Sequence, residues 1–121
     1  MPRAQISFLT GGAAVRPEKL VYDEDLQVFG QAVGKVDSAP SEIAAKLGFT
    51  VDRGADGLDR FDILALSTPA GRFGFVRHDG EPAQFAHVCD FDKQDPARAE
   101  RFVKSLFPEQ AASFEAYPEP W

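Results

Sequence analysis

Three apolar-rich runs separated by turn residues dominate the middle of the chain: Phe61-Asp62-Ile63-Leu64-Ala65-Leu66-Ser67, Arg72-Phe73-Gly74-Phe75-Val76-Arg77-His78 and Gln84-Phe85-Ala86-His87-Val88-Cys89-Asp90-Phe91. Their lengths, their aromatic and branched content and the breakers between them predict three consecutive strands. Thr68-Pro69-Ala70-Gly71 fits a type I turn with a glycine bulge, and Asp79-Gly80-Glu81-Pro82 joins the second run to the third. The reading is an antiparallel meander with strands near 61–67, 72–78 and 84–91. If His78 pairs near Gln84, alternation puts Phe73, Phe75, Phe85, His87, Cys89 and Phe91 on one face. Gly74, Val76, His78, Ala86, Val88 and Asp90 then share the other. This pairing keeps the aromatic rings together, so it is the expected one, with the phenylalanine face lying under helices.

The flanks supply those helices. Ser41 to Gly48 follows Pro40, spaces Ile43 and Leu47 four apart and ends on a glycine, which predicts a short helix. After Asp92 the chain turns helical, because Asp95-Pro96 resembles a cap with proline in the first turn, and Ala99, Phe102, Val103 and Leu106 recur at helical spacing. Pro108 ends that helix, and Ala111, Phe114 and Tyr117 suggest one further helical turn. Gln5 to Leu9 is expected to be an N-terminal strand and Leu20-Val21-Tyr22 a second extended piece. From Leu26 to Val36 helical spacing of Phe29, Ala32, Val33 and Val36 competes with two glycines, Gly30 and Gly34, and Leu26 and Val28 allow a strand instead. The fold class expected is α+β, one domain over residues 1–121, with helices packed on one face of the meander.

Composition narrows the setting. The 121 residues include 11 Phe and a 44% hydrophobic share, enough for a core, and a chain of this length can bury roughly two-thirds of its unfolded surface. The single cysteine, Cys89, cannot form an intramolecular disulfide, which suits a reducing compartment. The N-terminal apolar run is shorter than a signal peptide's, and no stretch approaches the roughly 18 apolar residues that span a bilayer. A soluble, cytoplasmic protein is the expectation. A formal net charge of -6 repels nucleic-acid phosphates and anionic membranes, leaving a basic protein as the compatible partner.

Candidate chemistry centres on His78, His87 and Cys89. His87 and Cys89 stand two apart on one strand and point the same way, as half of a metal site or a base beside a thiol. In the expected register His78 faces the other way, so no metal or cofactor is expected, and the three residues form only an alternative small-molecule pocket. Asp90-x-Asp92-x-x-Asp95 and Asp52-x-x-x-Asp56-Gly57-x-Asp59 lack the spacing of an EF-hand loop. They read as a helix cap and a glycine-rich turn. No phosphate loop, nucleophile elbow or zinc-protease helix is present, so no catalytic residue is named.

What remains is acidic surface, carried by Asp23, Glu24, Asp25, Asp56 and Asp59, in loops where binding residues tend to sit. Small size, acidity and an α+β build resemble, in type alone, the small bacterial proteins that neutralise another protein, toxin-immunity proteins among them. The expectation is a non-catalytic protein-binding module whose acidic surface covers a basic site on its partner. The alternatives are a small-molecule-binding or enzymatic domain with a pocket at His78, His87 and Cys89, and a subunit that pairs with its own copy.

Overall fold

The computed structural model describes residues 16–23, 26, 28, 30–57 and 59–119. Within them the chain runs β1 (Glu18–Leu20), β2 (Ala32–Val36), α1 (Pro40–Leu47), β3 (Asp52–Asp56), β4 (Asp59–Thr68), β5 (Gly71–His78), β6 (Ala86–Asp90), α2 (Pro96–Leu106), α3 (Pro108–Ala111) and β7 (Glu115–Ala116). The seven described strands form one antiparallel sheet in the order β1-β4-β5-β6-β2-β7, with β3 also paired to β4. The fold is α+β, and the β4-β5-β6 meander is the one its sequence predicts. The N-terminal strand expected at Gln5 to Leu9 lies outside the described residues.

Both predicted helices form where their caps place them. α1 starts on Pro40 and ends at Gly48, whose positive φ of 75° lets its amide turn back onto the Ala45 carbonyl at 3.2 Å. α2 starts on Pro96 after Asp95, whose side chain accepts a hydrogen bond from the Ala97 amide at 2.9 Å. Ile43, Ala44, Ala99, Phe102, Val103 and Phe107 of this layer bury against Leu64, Leu66, Phe73, Phe75, Ala86 and Val88 of the sheet. The Phe102 ring stacks on Phe73 with centroids 4.4 Å apart. No helix among the described residues is long and apolar enough to cross a membrane.

The opposite face is covered too, and this corrects the expected register. Val76 pairs with His87, Phe75 with Val88, Gly74 with Cys89 and Phe73 with Asp90, a one-residue slip from a pairing of His78 with Gln84. Phe73 and Phe75 therefore share the helix side with Ala86, Val88 and Asp90. His87, Cys89 and Phe91 lie with Gly74, Val76 and His78 on the other side, in a second cluster with Phe61, Ile63 and Ala65. Leu20, Tyr22, Leu26, Val28 and Tyr117 pack over that cluster. Because both faces are apolar, keeping the aromatics together was no guide to pairing. A buried carboxylate supports the observed one: Asp90 accepts hydrogen bonds from the amides of Asp92, Lys93 and Asp95 at 3.1 to 3.2 Å and so shapes the turn into α2.

Three further segments differ from expectation. Residues 32–36 are a strand rather than the end of a helix, following Gly30 at a positive φ of 83°. Gly34 sits where an added Cβ would lie 2.7 Å from the Phe114 ring and 2.8 Å from the Glu115 carbonyl oxygen, so only glycine admits β7 here. The segment around Gly54, read as a turn, is strand β3, and Gly57 with a φ of 62° follows it at the hairpin turn into β4. Helical structure after Pro108 stops at Ala111, and Tyr117 instead donates its amide to the Val33 carbonyl at 2.9 Å beside β2.

Candidate functional site

The loop between β5 and β6 folds back on its own strand. Asp79 donates its amide to the Arg60 carbonyl at 2.9 Å, Gly80 takes a φ of 94°, and the Glu81 amide closes a turn onto the His78 carbonyl at 3.1 Å. The Arg77 Nε donates to the Pro82 carbonyl at 2.7 Å, and its guanidinium also reaches the Glu81 carbonyl. The loop is thus pinned from below, and the Glu81 side chain points back over the sheet.

That side chain bridges two histidines. Glu81 Oε1 accepts a hydrogen bond from the His78 amide at 2.6 Å and lies 3.3 Å from His78 Nδ1, while Oε2 lies 2.8 Å from His87 Nε2. One ligand atom from each of His78, Glu81 and His87 falls within 4.8 Å of the other two. The second nitrogen of His87, Nδ1, is 2.7 Å from the Tyr117 hydroxyl. Aromatic rings wall the group: Phe85 meets His87 edge-on at 4.8 Å and Phe61 meets His78 at 5.4 Å. His87 is buried, whereas about a quarter of each of the His78 and Glu81 side chains is open to solvent, at 27% and 22%.

The electrostatics suit a neutral imidazole facing an ionised carboxylate. Burial would push the Glu81 carboxyl up, but the His78 amide and the His87 hydrogen bond outweigh it and hold the carboxyl below its ordinary value. Burial lowers His87 below the usual imidazole value, and the Glu81 carboxylate only partly counters this. Burial foremost, then Glu81, raises the Tyr117 hydroxyl above its usual value, so it keeps its proton. Around neutral pH this assigns the His87 proton to Nε2, donated to Glu81, with Nδ1 accepting from Tyr117.

The residues singled out in the sequence fare differently. His78 and His87 are brought together, because the register puts them on one side of the sheet. Cys89 shares that side but stands apart from the group, fully buried, its thiol pushed up to about 12 by burial and then by Asp90. Asp59 is exposed where β4 opens and pairs across the hairpin with Asp56; Asp23 is exposed, its carbonyl accepting from the Leu26 amide at 3.1 Å. Glu24 and Asp25 lie outside the described residues. Two further acids are tied down, Asp52 by Lys19 at 3.0 Å and Asp62 by Arg53 at 2.8 Å.

Sequence reasoning missed Glu81 and Tyr117. In the sequence Glu81 is turn material, although a glutamate three residues after a strand-end histidine has the spacing to fold back on it. The spacing of Tyr117 suggests a helical turn, and no local signal marks its approach to His87 from 30 residues away. In comparisons with known proteins no family model, no curated protein and no solved structure matches the chain.

Proposed function

We propose that this domain binds a divalent transition-metal ion through His78, Glu81 and His87. The observation that carries the reading is the Glu81 carboxylate set between two imidazoles on one side of the sheet, at 3.3 and 2.8 Å. Around a tetrahedral ion with ligands at about 2.1 Å, donor atoms sit about 3.4 Å apart, so side-chain adjustments on the ångström scale convert the hydrogen-bonded group into a coordination sphere. Two imidazoles and one carboxylate suit zinc or iron(II); calcium and magnesium prefer all-oxygen sets. The protonation states of His87 and Glu81 favour this, because metals bind neutral imidazole and ionised carboxylate. The expectation of no metal rested on possible ligands being too few and facing different ways; Glu81 adds one ligand, and in the observed register His78 and His87 share a side of the sheet.

A second reading, binding of a basic protein partner, keeps one structural support. Asp59 stands exposed two residues before Phe61, which pairs with His78, so an acidic hairpin tip borders the histidine site on a chain of net charge -6. On that reading Asp59→Lys slows association with the partner. The association also weakens between 0.1 M and 1 M salt, as the screening length falls from about 10 Å to about 3 Å.

Isothermal titration of the metal-free protein with zinc chloride tests the first reading. It predicts one ion per chain at micromolar affinity or tighter, lost in His78→Ala and in His87→Ala while the circular dichroism of both variants stays that of the folded chain. Failure of the folded wild-type protein to bind zinc, cobalt(II) or iron(II) at about 100 μM would overturn it.

A further inference from the structure

We infer that Tyr117 is a positioning residue for the His78, Glu81 and His87 site, so that bound metal and the docked C-terminal segment hold each other in place. The inference rests on the metal-binding reading and adds a residue outside the ligand set. His87 is the buried member of that set, and its two nitrogens face different partners: Nε2 faces Glu81 at 2.8 Å and Nδ1 faces the Tyr117 hydroxyl at 2.7 Å. If Nε2 becomes a metal ligand, the neutral ring's single proton leaves Nε2 for solvent and one taken up from solvent sits on Nδ1 instead, so the ring stays neutral. A hydroxyl both donates and accepts, so Tyr117 can turn from donor to acceptor without moving its oxygen. It then fixes the tautomer and the ring plane of His87, the role that outer hydrogen-bond partners commonly fill at metal-bound histidines.

The segment that delivers this hydroxyl is short and is also held by Phe114, which packs against the helix-side core, and by Glu115, which lies 3.7 Å from the Lys35 ammonium. Among the described residues β7 has two residues paired with Gly34 and Lys35, and the Tyr117 amide adds one bond to Val33. Its approach depends on Gly34, since any side chain there meets the Phe114 ring and the Glu115 carbonyl. The Tyr117 ring, packed on the second cluster, and its hydroxyl contact add to that anchoring. Coupling between two binding events is reciprocal: the factor by which the docked hydroxyl strengthens metal binding equals the factor by which metal strengthens docking.

Tyr117→Phe isolates the contact, because it keeps the ring and the backbone bond to Val33 and removes only the hydroxyl. Zinc is titrated into the folded wild type and variant, and hydrogen exchange at the Tyr117 amide (residue 117 in both) is followed with and without zinc. Zinc affinity is expected to fall 10-fold to 100-fold in the variant, and zinc is expected to slow exchange at that amide in the wild type by a factor that shrinks in the variant. A purely structural hydroxyl would lower the melting temperature of the metal-free variant and leave its zinc affinity and the exchange response unchanged; that result overturns the inference while metal binding stands. A wild-type chain that binds no metal removes both readings, and the titration of the wild type alone reveals it.

Discussion

Val76 lies directly opposite His87 across β5 and β6, and this pairing puts the His78 imidazole on the same side of the sheet as that of His87. From there a single loop glutamate reaches both rings. The candidate site is therefore a consequence of strand register: a shift of one residue would send His87 into the helix layer and dissolve the group.

The helix layer yields the largest expected loss of stability. Phe102 is 5% exposed and stacks on Phe73 with tilted and edge contacts to Phe75 and Phe107. Phe102→Ala is expected to cost about 3 to 5 kcal/mol in urea unfolding. A loss below about 1 kcal/mol would mean that α2 does not pack as described.

Asp90 organises the turn into α2 from a fully buried position, its oxygens receiving three backbone amides. Asp90→Ala removes those three hydrogen bonds and is expected to cost about 2 kcal/mol or more, since each contributes about 0.5 to 1.5 kcal/mol. Asp90→Asn keeps one acceptor oxygen and should cost less than alanine. Equal losses in chemical denaturation would show that the amides find other partners.

Acid sensitivity follows from Asp92. Burial would raise its carboxyl, but the Arg72 amide and guanidinium outweigh that and hold it below the ordinary value. A carboxyl depressed in the folded state adds stability that is fully present above the unfolded value of about 3.9 and is lost as pH falls through the lower folded value. Asp92→Asn should therefore flatten the fall in stability below about pH 4, measured by urea unfolding across a pH series. A slope as steep as the wild type's would contradict the assignment.

Much of the fold was legible because its signals are local. Asp95-Pro96 and Pro40 with Gly48 mark helix ends through the backbone groups they cap, and Thr68 to Gly71 carries its own turn chemistry. The register of β5 against β6 was not legible, because ranking pairings by aromatic clustering presumes one apolar face and this sheet has two. The strand at 32–36 was obscured by Gly30 and Gly34, which weaken a helix and a strand alike; Gly34 is required by a distant ring, Phe114, and Gly30 takes a positive φ just before the strand. Half of the site followed that pattern. His78 and His87 stood out by residue type, whereas Glu81 and Tyr117 are ordinary in sequence and become functional candidates only through contacts that the register and the C-terminal segment create.

Cys89 offers a check on the inner face. With its thiol pushed up to about 12 and no surface exposed, it should resist a disulfide reagent at pH 8 in the folded protein and react at once in denaturant. Rapid labelling of the native chain would place it outside the core.

The central claim is that His78, Glu81 and His87 form one coordination site, and anomalous diffraction from crystals soaked in zinc tests it most directly. The account predicts one strong peak about 2.0 to 2.2 Å from His78 Nδ1, a Glu81 carboxylate oxygen and His87 Nε2. A zinc-saturated crystal with no peak between these three side chains, or with its peak at other residues, would contradict it.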